Sequence, residues 1–432
     1  MKVVHIITRL ILGGAQENTL ITVEGLQRMP GYPSAVSDLS ADSQTKERYS
    51  RGYSADKSFL QLPKYEVTLI SGPALGPEGE LVKRAQDNKV NLIIISQMRR
   101  NIFPWLDLIS FIRIFFLLRK LKPDIVHTHS TKAGIFGRIA AKLAGVKIII
   151  HTIHGMPFYP YQPRIANWFY TALEWLAAKV TDRIICVADA MTAQALAAGV
   201  GKPEQYTTIY SALEMDKFVP LKTRLEERRE LGIGPDDKVI GVVARLANLK
   251  GHEYLIRIAH QIIREVPEVK LMFVGDGALR EQITKDVKER GLVGRVIFTG
   301  LVEPQRIPGL IQAMDVLVHP SLREGLARAL PQALALGRPA VSFDIDGARE
   351  VVLDGRTGFI IPPPQAGREY DSLDKMAEKI IYLLKNPAEA AKMGQAGKEH
   401  IKQNFDSAYM VSRIGQVYEE AAKQKSAPPT SL

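Results

Sequence analysis

Short apolar runs rich in β-branched residues recur along the chain: "KVVHII", "EVTLIS", "LIIIS", "DIVHTH", "VKIIIH" and "DRIICVA", then "KVIGVVA", "VKLMFVG", "RVIFTG", "DVLVHP", "PAVSF" and "TGFIIP". Between them the apolar positions return at helical spacing. Near-continuous hydrophobic strands separated by helices predict parallel sheets covered on both faces. The two series imply an α/β chain of two doubly wound, Rossmann-like domains. Strand signals stop in residues 211–238, "SALEMDKFVPLKTRLEERRELGIGPDDK", where charge, Pro and Gly rise. Domains are therefore expected at 1–212 and 213–400. The remainder, 401–432, reads as a C-terminal helix packing back towards the N-terminal domain, with a polar "KSAPPTSL" end that frays.

Two segments depart from this rhythm. Residues 33–65 are rich in Ser and mixed charge and read as a flexible surface insertion, with a partner-binding insertion as the alternative. Residues 98–123, "MRRNIFPWLDLISFIRIFFLLRKLKP", are aromatic and basic. Asp107 and Arg113 interrupt an apolar run already short for a bilayer, which excludes a spanning helix. A core helix with cations in its last turn and an interfacial helix on an anionic membrane surface both fit residues 98–122, each using a different face.

At 432 residues, 46% hydrophobic and 24% charged, the chain has the make-up of a two-domain soluble enzyme. Its single cysteine, Cys186, sits in a strand-like run, so a disulfide framework is excluded and the cytoplasm is the expected compartment. The opening "MKVVHIITRL" meets Arg9 before a signal-peptide core could form. Net charge is +11, of which residues 1–215 carry +8 (25 basic, 17 acidic). That excess fits phosphorylated small molecules, an anionic membrane or nucleic acid. Nucleic acid finds no support in a helix-turn-helix or aromatic-flanked RNA motif, so a basic nucleic-acid-binding protein is the remote alternative and no nucleic-acid partner is expected.

In open parallel sheets ligands bind beyond the carboxyl ends of strands. Gly13 and Gly14 follow the first strand and open a helix, which brings backbone close to a ligand, although such a turn also forms without one. Arg245 and Lys250 follow "KVIGVV" at a helix start, where the helix dipole disfavours cations unless an anion binds. Gly275 and Gly277 resemble half of a dinucleotide fingerprint, but Arg280 stands at the third glycine position. Asp344 and Asp346 mimic a metal-binding pair that lacks further ligands. His127, His129, His151 and His154 cluster at two strand ends without the spacing of a zinc site, and His154 at its strand tip is the favoured polar contact. In "PSLREGLARALPQALALG" Pro331 restricts the helix to a start only a few residues upstream. Glu324 and Gly325 then lie in the preceding loop and Gln332 in the first turn. Arg323 and Arg328 add charge that suits a visiting anion.

"LGGAQE", "VHTHS", "HTIHG", "ARLANLKG", "VGDG", "FTG" and "PSLREGLARALPQALALGRPAV", in this order, resemble the retaining family 4 glycosyltransferases of the GT-B fold. The resemblance implies a UDP- or GDP-type nucleotide-sugar donor held mainly by the C-terminal domain and a sugar or lipid-linked acceptor held mainly by the N-terminal one. It implies no cofactor and no metal. Arg245 and Lys250 would neutralise the departing diphosphate, and Glu324 would bind the donor sugar's hydroxyls with Gly325 and Leu326 beside it. His154 would approach the reacting carbon, making these four side chains the catalytic set. Gly13, Gly14, Gly275 and Gly277 would admit the donor, and His129 would lie on the acceptor side. Three departures stand out: Gln332 replaces the glutamate expected on the donor ribose, Ala212 and Glu214 replace the Gly and Asp of the interdomain motif, and residues 33–65 have no counterpart. A nucleotide-sugar 2-epimerase of similar architecture is the nearest enzymatic alternative. The implied role is transfer to a lipid-linked sugar in surface polysaccharide or glycolipid synthesis, in the cytoplasm or peripherally at the membrane's inner face.

Overall fold

All twelve apolar runs are strands, and a thirteenth escaped the pattern. The computed structural model describes residues 1–30, 63–75, 81–365 and 367–426. The expected insertion, except its last three residues, and the "APPTSL" tail lie outside them. In the first sheet the strands are β1 (Lys2–Ile7), β2 (Glu66–Ser71), β3 (Asn91–Ile94), β4 (Ile125–His129), β5 (Ile148–Ile153), β6 (Arg183–Cys186) and β7 (Tyr206–Thr208), ordered 3-2-1-4-5-6-7. The second sheet has β8 (Lys238–Val243), β9 (Val269–Val274), β10 (Val296–Gly300), β11 (Val316–His319), β12 (Ala340–Phe343) and β13 (Gly358–Ile361), ordered 10-9-8-11-12-13. The extra strand, β7, is three residues of "YTT" at a sheet edge, too short to show alternation.

Helices fill the crossovers: α1 (Gly14–Arg28), α2 (Val82–Asp87), α3 (Pro104–Leu121), α4 (Thr131–Ala144), α5 (Arg164–Ala178), α6 (Asp189–Ala197) and α7 (Arg224–Glu230), then α8 (His252–Glu265), α9 (Arg280–Glu289), α10 (Ile307–Ala313), α11 (Ala329–Ala335) and α12 (Ala348–Val351). The chain ends in α13 (Glu369–Lys385), α14 (Pro387–Asn404) and α15 (Ser407–Ser426). In each sheet the order reverses beside its first strand, between β1 and β4 and between β8 and β11. Such reversals open crevices at the strand ends.

Between β7 and β8 the sheets change over, within the segment expected as the boundary. Compactness divides the chain differently. One unit holds residues 1–152, 176–184 and 411–432, and the other holds 153–175 and 185–410. Segments placed by sequence in the N-terminal domain thus pack with the C-terminal one, because hydrogen bonds tie them there: the Asp189 and Ala190 N–H groups donate to Glu350 (2.7 and 2.9 Å) and Arg323 donates to Met156 O (3.0 Å). Cys186 is buried, and desolvation pushes its thiol up to about 12.

In the first unit Ile6, Val126 and Ile149 of the sheet pack with Ile114 and Leu118 of α3 and Ala133 and Ala140 of α4. The last helix, α15, joins this unit from Val411 onward. Its Tyr418 is fully buried, with its hydroxyl 2.6 Å from His127 Nδ1 and 3.1 Å from His5 Nε2. In the second unit Ile240, Phe273, Val318 and Phe343 of the sheet meet Leu255 and Ile262 of α8 and Met376 and Ile380 of α13. Leu213 joins this unit's last turn, donating to Phe405 O (2.9 Å), while Glu214 pairs with Lys217 at 2.7 Å.

Candidate active site

The crevice of the second unit is built from the loops after β8 and β11. Leu322 N–H donates to Leu249 O (2.9 Å), which binds the loops to each other. Gly251 has φ of 75° and comes so close to Pro320 that a Cβ there would lie 1.9 Å from its carbonyl oxygen. Only glycine allows this approach. Lys250, just before it, is thereby set against Glu324, with Nζ 2.5 Å from Oε1.

Glu324 is the centre of the site. Its Oε1 accepts from Lys250 Nζ, from Ser321 Oγ (2.9 Å) and from His319 Nε2 (3.2 Å). Among the described residues no donor reaches Oε2. Its backbone N–H donates to Asp346 Oδ2 (2.7 Å), and Asp346 Oδ1 also accepts from Gln194 (3.0 Å). Burial alone would raise the Glu324 carboxyl, but the Lys250 ammonium and the His319 hydrogen bond overcome it and hold the group well below the usual carboxylate range. Desolvation conversely raises Asp346. The acidic pair suggested by "FDIDG" is split, since Asp344 is clamped by Arg349 through two bonds of 2.7 and 2.6 Å.

His154 belongs to the same unit and touches the same loop. A Cβ on Gly325 would sit 1.8 Å from His154 O, and one on Gly155 would sit 3.7 Å from Glu324 O. His154 is half-buried, and desolvation lowers its pKa to about 4, so the ring is neutral at pH 7. Arg323 is engaged inside the unit rather than set out for an anion: it donates to Met156 O (3.0 Å) and lies 3.7 Å above the Tyr159 ring. The structure thus brings together His154, Lys250, Glu324 and Gly325. Leu326 is buried just beyond them, and Gln332 follows as the fourth residue of α11, as the proline required.

Arg245 is exposed at the end of β8. Gly275 and Gly277 run beside its neighbours, with Leu246 N–H on Asp276 O at 3.0 Å. Gly13 and Gly14 lie in the first unit, at the start of α1. So does His129, 1% exposed, whose Nε2 is 2.9 Å from His5 Nδ1. His5, His127 and His129 bring ring nitrogens within 4.8 Å of one another, which the strand spacing had not suggested. Parallel pairing of β1 with β4 sets His5 opposite His127. Hydrogen bonds to Tyr418 and Thr152 (2.7 Å from His127 Nε2) tie the cluster together, and desolvation lowers His5 to about 3. The sequence reading missed His5, His319 and Ser321, and read Asp346 as half of an acidic pair and not as the acceptor of the Glu324 N–H. His319 was findable, since it ends its strand just as Arg245 follows its own.

Comparison with known proteins places this arrangement. Residues 223–400 match the family model "Glycosyl transferases group 1" and residues 60–217 match "Glycosyltransferase Family 4". An Escherichia coli protein, UDP-Gal:alpha-D-GlcNAc-diphosphoundecaprenol alpha-1,3-galactosyltransferase, is 34% identical over 280 residues, 64% of this chain and 72% of its own. The chain is a family 4 glycosyltransferase. A Staphylococcus aureus relative, capsular polysaccharide biosynthesis glycosyltransferase CapM, is 25% identical to this glycosyltransferase over 85% of the chain and 93% of its own. The crystal structure of Anabaena HepE with UDP and glucose superposes with a TM-score of 0.73 at 19% identity, over 97% of this chain and all of that one. It confirms the GT-B fold of the transferase, with its two Rossmann-like domains.

Proposed function

We propose that this glycosyltransferase moves a hexosyl or N-acetylhexosaminyl group, with retention, from a UDP- or GDP-type nucleotide sugar to a lipid-linked sugar acceptor for surface polysaccharide or glycolipid. In this reading it needs no metal and works from the cytoplasm at the inner face of the membrane. The single observation that carries it is the division of labour on Glu324. Three donors fix Oε1, and Oε2 is left to accept from the hydroxyls of a donor sugar. Lys250 and Arg245 supply the positive charge that a diphosphate leaving group requires, a task otherwise given to a metal ion. Neutral His154, whose backbone carbonyl lies against Gly325, offers a hydrogen-bonding ring without adding charge. Gln332 keeps an amide oxygen for the ribose hydroxyls, and in this reading Gly13 and Gly14 take a donor-binding role and His129 an acceptor-side one. The E. coli relative's UDP-sugar donor and diphosphoundecaprenol acceptor support the substrate classes, and the UDP complex of HepE supports the donor.

Turnover of UDP- and GDP-sugars onto a polyprenyl-diphosphate sugar, with and without EDTA, tests the proposal, with the anomeric configuration of the product read by NMR. Retention and EDTA-insensitive turnover are expected. Activity lost to EDTA and restored by magnesium overturns the metal-free reading, and an inverted product overturns retention.

A further inference from the structure

We propose that α3 is a membrane-contact helix that lies flat on an anionic bilayer, with its apolar outer face in the headgroup region. Its faces are reversed relative to an ordinary surface helix. Asp107 and Ser110 point inward beside Ile114 and Leu118, all four buried. Asp107, the only acid in the helix, pairs with Lys132 at 2.7 Å and accepts the Phe103 N–H at 3.0 Å. Ser110 is satisfied by Leu106 O at 2.7 Å. Outward stand Trp105 (79% exposed), Leu108 (50%), Ile109, Ile112 and Phe116 (64%). Spaced 3, 4, 7 and 11 residues beyond Trp105, they form one continuous stripe. Side chains of this size expose on the order of 500 Å² of apolar surface together, beyond what scattered surface residues explain.

The charge pattern selects the occupant. Arg113, Arg119 and Lys120 are exposed on the helix, Arg99, Arg100 and Lys122 flank it, and the buried Asp107 is its one acid. A second copy of the chain docked on this stripe would bring these cations against their own counterparts. Anionic lipid headgroups pair with them while the interface takes up the aromatic and aliphatic side chains. Spanning is excluded, since among the described residues no helix is long and apolar enough to cross a membrane. The helix is about 27 Å long, and its cations occupy the middle and one end, as a helix lying in the interface requires. The inference stands apart from the acceptor reading and would hold for a different acceptor.

The test is sedimentation of the full chain with vesicles of phosphatidylcholine alone and of phosphatidylcholine mixed with phosphatidylglycerol. Binding to the anionic vesicles that weakens with salt is expected. W105S/F116S should lose at least about tenfold in partitioning. R113E/R119E/K120E should lose about 10²-fold on anionic vesicles. Donor turnover and melting temperature should stay near wild type in both. L108S/I112S is a second apolar variant should either triple or double change unfold the chain. No vesicle binding, or equal binding to both compositions, overturns the inference. So does a concentration-dependent dimer that W105S/F116S abolishes, which would assign the face to self-association. Because binding needs no catalysis, failure here with intact transfer leaves the enzymatic reading standing.

Discussion

Replacing Lys250 by Met tests the electrostatic core of the site. At 2.5 Å the pair has a gross attraction of about 7 kcal/mol at an effective dielectric constant near 20. The two side chains are only 18% and 19% exposed, so water recovers little of it. Lys250→Met leaves a carboxylate that burial disfavours, held only by His319 and Ser321, and should cost about 3 kcal/mol. Glu324→Gln leaves an ammonium on a flexible stem that can turn to solvent, and should cost about 1–2 kcal/mol. In a unit of this size each kcal/mol corresponds to roughly 2–4 °C in the melting transition. The double variant removes both charges and should be more stable than the sum of single effects implies, with a coupling of about 1–3 kcal/mol. Melting curves of the four proteins measure this directly. Turnover should not recover if, as proposed, each group also meets the donor: each single change should then lower kcat/KM by about 10²–10³-fold, and the double change no less. Stability losses that add to within about 0.5 kcal/mol would refute the pair. A double variant that regained activity would show that the pair serves only the fold.

Tyr418→Phe removes the hydroxyl between His127 and His5, stranding two buried ring nitrogens at about 1–3 kcal/mol each; an unchanged melting temperature would show that the network is idle. Between pH 6.5 and about 3 the unfolded chain protonates His5 while the folded chain does not. Its contribution is therefore whole above pH 6.5 and is lost as pH falls, by roughly 2 kcal/mol at pH 5, and His5→Gln should flatten that part of a stability–pH curve. Gly325→Ala must push the His154 carbonyl away from a contact of 1.8 Å, so kcat/KM should fall about 10²-fold through misplacement, whereas wild-type kinetics would remove that contact from the catalytic geometry.

Local periodicity made the parallel strands legible because most are buried on both faces and so read as apolar runs, while the edge strands β3 and β10, only partly buried, are apolar enough to stand out too. Strand-end reasoning likewise singled out Lys250, Glu324 and His154, which the structure sets on adjoining loops. It could not see that one oxygen of Glu324 is already held by His319 and Ser321, since that depends on how a loop folds back on its own strand. Nor could it join His5 to His127, which are neighbours only through the β1–β4 register. Arg323 misled because charge beside a helix start was weighed without Tyr159, far away in sequence, which the guanidinium covers. For α3, composition allowed a core face and a lipid-facing face together, and only side-chain burial told which residues belong to each. Sheet membership and packing part company because residues 153–175 and 185–210 include the ends of β5 and β6 and all of β7, yet hydrogen-bond to residues that follow β11 and β12.

The Tyr418 hydroxyl reaches back 413 positions to His5. During synthesis the first strands therefore leave the ribosome long before their last partner exists. At ~5–20 residues per second, the stretch from His127 to Tyr418 takes roughly 15–60 s to make. Through that interval the inner histidines of β1 and β4 lack the hydroxyl that later closes their network. Completion of the N-terminal sheet is thus timed by the arrival of the last helix, and a chain shortened before α15 would carry its defect at its first strands, not at the cut.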